Sequence, residues 1–129
     1  MLPFNVSFRA GEPAYAQVVY AAVRALVSGQ LRAGDPFPSV RALSQELRIN
    51  PNTAQRVITV LKEKGLLEVR PGVGTLVARA PDLDRRQRMA LLKEQAEQLV
   101  VEALRLRLEP EEVVEAVREH WARLSKEKL

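Results

Sequence analysis

Residues 38–75 read PSVRALSQELRINPNTAQRVITVLKEKGLLEVRPGVGT, and this stretch determines the fold. Ser39 is a good N-cap for a short helix over about 40–47. After a two-residue turn, Asn50 is the N-cap and Pro51 the first residue of another helix, which Gly65 ends. A short helix, a tight turn and a second helix in this order predict a helix-turn-helix.

The stretch closes with a hairpin signal. The segments LLEVR and TLVAR have the composition of two short strands, and Pro71-Gly72-Val73-Gly74 joins them. A hairpin in this place is a wing. The fold class that we predict is therefore mainly α with a small β-hairpin, a winged helix-turn-helix followed by two further helices.

The helix over 51–64 has two faces that differ in polarity. At about 100° per residue, one face is apolar and points inward; its members are Ala54, Val57, Ile58 and Leu61. The opposite face is polar and carries Asn52, Arg56, Thr59 and Glu63, with Thr53 and Gln55 on the flanks.

The segment before residue 38 completes the first domain, which we place at residues 1–79. Residues 1–13 are expected to form an extended arm that ends in a turn at Gly11–Pro13. A helix follows from about Ala14 to Ser28, where Gly29 stops it. Its apolar stripe has three- and four-residue steps and consists of Tyr15, Val18, Val19, Ala22, Val23 and Leu26.

Residues 80–129 form a second segment with two predicted helices. Asp82 or Asp84 caps a long helix that reaches about Leu108, and Pro110 starts the next one. The first helix has apolar residues at the a/d spacing of a helix seam: Met89, Leu92, Ala96, Leu99, Ala103 and Leu106. The second has an apolar stripe of Val113, Val114, Val117, Trp121 and Leu124.

Two helices of this size do not enclose a core on their own. Their stripes need another surface, and a second copy of the chain is the natural candidate because twofold dimers are the commonest soluble assembly. We therefore predict a homodimer whose interface includes the six seam residues together with Val117 and Trp121.

Composition narrows the class of protein. The chain has no cysteine and one histidine, His120, which argues against disulfides, thiol nucleophiles and His/Cys metal clusters. No signal peptide and no run of roughly 20 apolar residues are visible, so we expect a soluble, cytoplasmic protein without a membrane partner. Residues 1–79 hold ten Lys/Arg against five Asp/Glu, whereas residues 80–129 are close to neutral. The positive charge thus accompanies the helix-turn-helix, as a polyanionic partner requires.

The polar helix start is suited to reading base edges in double-stranded DNA. Asparagine and glutamine bond adenine edges, and a threonine methyl meets a thymine methyl. Arg41 is placed to hold the DNA backbone, and Arg56 to add a phosphate contact. The candidate DNA-binding residues are Arg41, Asn50, Pro51, Asn52, Thr53, Gln55, Arg56, Gly72, Gly74 and Thr75. Each alone has an ordinary explanation as a cap, a solvated arginine or a tight turn, and their combination in this order favours DNA.

The stretch PSVRALSQELRINPNTAQRVITVLKEKGLLEVRPGVGTLV resembles the winged helix-turn-helix of the GntR family of bacterial transcription regulators, and the resemblance covers about residues 4–79. The short two-helix tail resembles the YtrA subfamily. The resemblance carries the family's DNA contacts over to Arg41, Asn50, Pro51, Asn52, Thr53, Gln55 and Gly72. It implies a dimeric repressor that controls its own operon, often beside genes for an ATP-dependent transporter.

The chain departs from the family pattern at two positions. Many members carry arginine where this chain has Pro51 and Gln55, whereas INPNT is similar to the short subfamily. Because the change removes two positive charges, we expect a weaker electrostatic contribution and an operator unlike that of the arginine type.

Two other classes of function compete with a regulator. A winged helix that serves as a protein-interaction adaptor would expose large apolar residues on the recognition helix, where this chain has polar ones. For an enzyme we find no glycine-rich phosphate loop, catalytic triad or metal cluster, and we predict no cofactor. A small-molecule effector stays open, because the tail is too small for an enclosed pocket within one chain, which leaves a dimer cleft or a site between wing and tail.

Overall fold

The computed structural model describes residues 2–127. In chain order the elements are α1 (Ala14–Ser28), α2 (Val40–Leu47), α3 (Pro51–Glu63), β1 (Leu67–Arg70), β2 (Gly74–Val77), α4 (Arg85–Arg105) and α5 (Pro110–Lys126). Five helices and one two-stranded hairpin confirm the predicted fold class. Within residues 2–127, none of the helices is both long and apolar enough to cross a bilayer.

The helix starts of the first unit follow the predicted capping residues. The Ser39 hydroxyl accepts a hydrogen bond from the Ala42 amide at 3.1 Å. The Asn50 side-chain oxygen accepts one from the Asn52 amide at 2.7 Å, and Pro51 is the first residue of α3. Each cap satisfies a backbone donor that the helix itself leaves unpaired, which fixes where α2 and α3 begin.

One hydrophobic core holds α1, α2 and α3 together. The largest fully buried side chains are Val18 on α1, Leu43 on α2, and Val57 and Leu61 on α3. All four residues predicted for the inward face of α3 are buried. Helix α3 packs directly on α1 and α2, so its outward face is presented from a fixed support.

The N-terminal arm takes part in this core, which the sequence prediction of an extended arm did not include. Phe4 is buried, and its ring stacks on Phe37 with 5.8 Å between the centroids. Gln17, a buried polar residue of α1, ties down the end of the arm. Its side chain accepts a hydrogen bond from the Arg9 amide and donates to the carbonyls of Arg9 and Glu12. The Gln17 side chain thus anchors the end of the arm to α1 and is itself fully hydrogen-bonded, as a buried amide requires.

The hairpin pairs β1 with β2 in antiparallel register, with Leu67 opposite Val77 and Arg70 opposite Gly74. Gly74 was predicted as part of the connecting turn but lies in the strand, and the turn is Pro71-Gly72-Val73. On its other side β2 is tied to the connector between α1 and α2, because the Phe37 amide donates to the Thr75 carbonyl at 2.9 Å. Strand β2 therefore has hydrogen-bond partners on both sides.

The contacts separate a second unit, Pro81–Glu127, from the first, which reaches Ala80. Asp84 rather than Asp82 caps α4, in a reciprocal capping box with Gln87. Helix α4 ends at Arg105, earlier than the predicted Leu108. The cause is a left-handed residue, Arg107 with φ 59°, which lets the Leu108 amide donate back to the Ala103 carbonyl at 3.0 Å. The domain boundary at 79/80 stays a prediction.

Candidate nucleic-acid interface

The start of α3 carries exposed polar residues, and the opposite face of the same helix is buried in the core. Asn50, Pro51, Asn52 and Gln55 are exposed and Thr53 is half-buried. Gln55 donates from Nε2 to the Thr59 hydroxyl at 3.4 Å, one turn further along the same helix. Because the opposite face of α3 is buried in the core, these amide groups are held by the helix and not by a loop.

The turn between α2 and α3 has features that sequence reasoning missed. Arg48 adopts a left-handed conformation with φ 55°, which is uncommon for an arginine. The Ser44 hydroxyl donates to the Ile49 carbonyl at 2.8 Å, and the Ile49 amide donates to the Ser44 carbonyl at 3.1 Å. This pair of hydrogen bonds between Ser44 and Ile49 fixes the angle between α2 and α3. A serine seven residues before the first residue of α3 was the signal in the sequence.

Two arginines predicted to contact DNA have different surroundings. Arg41, in the first turn of α2, is exposed, and its side chain makes no hydrogen bond or ion pair within residues 2–127. Arg56 lies against Tyr15 of α1, with its guanidinium carbon 3.8 Å from the ring centroid. Asn52, Thr53 and Arg56 also line one depression at the surface together with Pro13, Ala14 and Tyr15.

The wing has Gly72 at its exposed tip and Gly74 at the exposed first position of β2. The Val73 amide donates to the Arg70 carbonyl at 3.0 Å, closing a turn with Pro71 and Gly72 at its centre. Gly72 has φ 78°, which a type II turn requires at this position and glycine supplies without strain. Val73, which sequence reasoning did not single out, is 67% exposed at the tip. Thr75 lies in β2 and is half-buried.

The predicted dimer seam lies in the second unit, where most of its members are exposed. Of the α4 seam, Met89, Leu92, Ala96 and Leu99 are exposed, and Leu106 is exposed just past the helix end. Trp121 of α5 is 74% exposed, and Val117 is exposed as well. Ala103 differs, since it is 7% exposed and most of its surface is covered within one chain. The seam as an interface stays a prediction.

The capped helix pair, the exposed polar start of α3 and the hairpin define a winged helix-turn-helix protein. The family described as bacterial regulatory proteins, gntR family, matches residues 14–77. The uncharacterized HTH-type transcriptional regulator YhcF of Bacillus subtilis (strain 168) is 32% identical over 111 residues, which cover 86% of this chain and 92% of that protein. The chain belongs to the GntR family and is a DNA-binding transcription regulator.

Further similarities agree with this assignment. The HTH-type transcriptional repressor YtrA of B. subtilis (strain 168) is 30% identical over 112 residues, 86% of either chain. A transcriptional antiterminator from Listeria monocytogenes EGD-e shares the fold with a TM-score of 0.79 at 22% identity, over 95% of this chain and 92% of that one. The DNA-binding domain of AraR, solved in complex with operator ORX1, has a TM-score of 0.51 and 28% identity over 57% of this chain and 95% of that one.

Proposed function

We propose that the protein is a homodimeric, cytoplasmic repressor that binds a pseudo-palindromic operator, with one α3 in the major groove of each half-site. The observation that carries the proposal is the exposed polar start of α3 on a buried helix. A helix end of this kind, bearing asparagine and glutamine, suits adenine edges in the major groove. Repression agrees with the name of the relative YtrA, and operator binding with the AraR complex.

The reading residues are Asn50, Pro51, Asn52, Thr53 and Gln55, with Arg41 and Arg56 on the phosphates and Gly72, Gly74 and Thr75 at the wing. Most of this set is exposed. Asn52 and Gln55 present amide groups to solvent, and the Arg41 side chain has no intramolecular partner in the described residues. Pro51 has no free amide hydrogen, so its contribution is the shape and direction of the helix start.

The second copy is the proposed occupant of the apolar surface on α4 and α5. Among the described residues of the second unit, Ala103 alone is buried, whereas Leu92, Leu99 and Trp121 are exposed. Covering these side chains with the same surface of another chain removes apolar area from water. Paired chains also carry two copies of α3, and we expect the half-sites that they bind to be about one helical turn of DNA apart or a multiple of it.

Regulation of the protein's own operon, with transporter genes among the targets, is the last part of the proposal. It rests on the resemblance to the short subfamily. Reading the genes beside its own and testing the upstream DNA for binding checks this part separately.

The adaptor alternative is less well supported. It requires large apolar residues on the outward face of α3. Among the described residues of that helix, no large apolar side chain is exposed. The hairpin exposes Val69 and Val73, and two valines are too small a surface for a stable protein interface.

The test is selection of bound sequences from a random pool of double-stranded DNA. Wild-type protein should enrich a pseudo-palindrome. Asn52→Ala should lose discrimination at one base position of each half-site, by about 1–3 kcal/mol. The matched control is Gln30→Ala, which removes an exposed amide from the connector after α1 and should leave the selected sequence unchanged.

Arg41→Ala addresses the phosphate contact. Affinity should fall for all sequences alike, and the slope of log K against log salt should decrease by about 0.9 for each phosphate that the variant no longer neutralises. Lys64→Ala removes the same charge at the other end of α3 and should change the slope less. A wild-type protein with no preference among duplexes contradicts the proposed function.

A further inference from the structure

Arg56 is held by an aromatic ring and not by a carboxylate. Its guanidinium carbon lies 3.8 Å from the centre of the Tyr15 ring. Tyr15 is the second residue of α1, and Arg56 lies one turn after Asn52 on the exposed face of α3. Because α1 and α3 pack on each other through the core, the ring and the arginine backbone have a fixed relation.

Stacking on the Tyr15 ring leaves the hydrogen-bond donors of the Arg56 guanidinium free. A cation on the face of a ring is attracted through the π system, and the five N–H groups lie in the guanidinium plane. The Arg56 guanidinium makes no hydrogen bond or ion pair within the part of the chain that the structure describes. By contrast, Arg9, Arg70 and Arg105 each direct N–H groups to a carboxylate, of Glu12, Glu68 and Glu102 respectively.

We propose that Tyr15 is a positioning residue for DNA binding, which orders Arg56 so that its free N–H groups meet an acceptor oxygen or nitrogen of DNA beside the contact made by Asn52. This inference rests on the proposed function. Asn52, Thr53, Arg56 and Tyr15 line one surface depression, which brings the ordered arginine to the polar start of α3. The acceptor is a phosphate oxygen or the O6/N7 edge of a guanine, both of which accept from a guanidinium.

The physical benefit is ordering before binding. A free arginine side chain loses rotamer freedom when it is fixed on DNA, which reduces affinity. The Tyr15 ring restricts Arg56 in the unbound protein, and a stack at an exposed site corresponds to a factor of about two to five in affinity.

The test is a double-mutant cycle measured on the operator that wild-type protein selects. Tyr15→Leu should weaken binding about two- to fivefold, and in an Arg56→Ala background it should have no further effect. Tyr15→Phe keeps the ring and should restore wild-type affinity. Tyr20→Leu changes the other tyrosine, which is exposed on the same helix, and should leave affinity unchanged.

The Arg56→Ala arm also identifies the acceptor. Removal of a phosphate contact lowers the salt slope by about 0.9 per protomer, whereas removal of a guanine contact relaxes one base position. Thermal unfolding of each variant accompanies the binding data, since Tyr15 packs against the core. Arg56 is exposed, so we expect the Arg56→Ala variant to fold. In that background the arginine is absent, and any remaining effect of Tyr15→Leu on binding is therefore an effect on folding.

Two outcomes overturn the inference. If the effects of Tyr15→Leu and Arg56→Ala on affinity add, the ring does not act through the arginine. If Tyr15→Phe binds as weakly as Tyr15→Leu, the hydroxyl and not the stack is what matters. A wild-type protein that binds no duplex would instead contradict the proposed function, so the two failures are distinguishable.

Discussion

The two units of this chain use apolar residues in opposite ways. In the first unit Leu43, Leu61, Val18 and Val57 are fully buried, with Leu43 at 0% exposure. In the second unit Trp121 is 74% exposed, and the described residues bury only Ala103. The first unit therefore completes its core within one chain, whereas the apolar stripes of the second are left for another surface.

Helix length does not explain this difference. Helices α4 and α5 have 21 and 17 residues, whereas α1, α2 and α3 have 15, 8 and 13. What differs is how many elements meet. Three helices and a hairpin contribute to one core, whereas α4 and α5 make few contacts with each other and leave most of their described surface in water. Burial in this chain therefore depends on the number of converging faces.

The largest expected effect concerns the exposed apolar stripe of the second unit. Leu92→Glu combined with Leu99→Glu places two charges in the α4 stripe, where a partner surface would have to desolvate them. Sedimentation should show a monomer. Operator affinity should fall by about 10²–10⁴, because both half-sites can no longer be engaged together.

A matched variant tests whether loss of the dimer depends on placing the charges in the seam or only on adding two charges to α4. Ala90→Glu combined with Gln98→Glu adds two charges at exposed α4 positions outside the seam and should stay dimeric. A wild-type protein that sediments as a monomer, or a dimeric Leu92/Leu99 variant, removes the basis of the proposed assembly.

The buried core of the first unit has the next largest effect. Leu43→Ala leaves a cavity among α1, α2 and α3 and should lower the free energy of unfolding by about 2–5 kcal/mol. Urea denaturation measures it. Val27→Ala on the exposed side of α1 is the control and should stay within about 0.5 kcal/mol of wild type. Similar losses of stability at both sites would mean that the core is not centred on Leu43.

The sequence predicted the first unit well because its signals are local. Ser39, Asn50 and Pro51 mark helix starts by capping chemistry that acts within three residues, and the inward face of α3 follows from helical periodicity. The candidate DNA residues at the start of α3 were found for the same reason. Their position on the helix follows from the cap.

Other features depend on contacts between residues distant in the sequence. No local pattern indicates that Phe4 stacks on Phe37, or that Gln17 binds the backbone of the arm. The contact between Tyr15 and Arg56 joins two helices about 40 residues apart, and it appears only once α1 packs on α3. The early end of α4 was missed because Arg107 takes a left-handed conformation usual for glycine or asparagine.

Helix caps give a smaller effect that also distinguishes the two units. Ser39→Ala removes the cap of a helix packed in the core and should lower the free energy of unfolding by about 0.5–2 kcal/mol. Asp84→Ala breaks the capping box of α4, whose start is exposed. We expect faster hydrogen exchange at the first turns of α4 and no change in the unfolding of the first unit. An equal decrease from both substitutions would show that the two units unfold as one.

The smallest expected effect concerns an ion pair at the end of α4. The hydrogen bond from Arg105 lowers the pKa of the Glu102 carboxyl below its ordinary value. Because the native pKa is below the unfolded one, the contribution is present above the unfolded pKa and is lost as pH falls through the native pKa. Both side chains are exposed, so salt should weaken the pair. NMR titration should find the lowered pKa in wild type and in Arg118→Gln, and an ordinary one in Arg105→Gln. An ordinary pKa in wild type would show that the pair does not form in solution, and that α4 ends without this side-chain support.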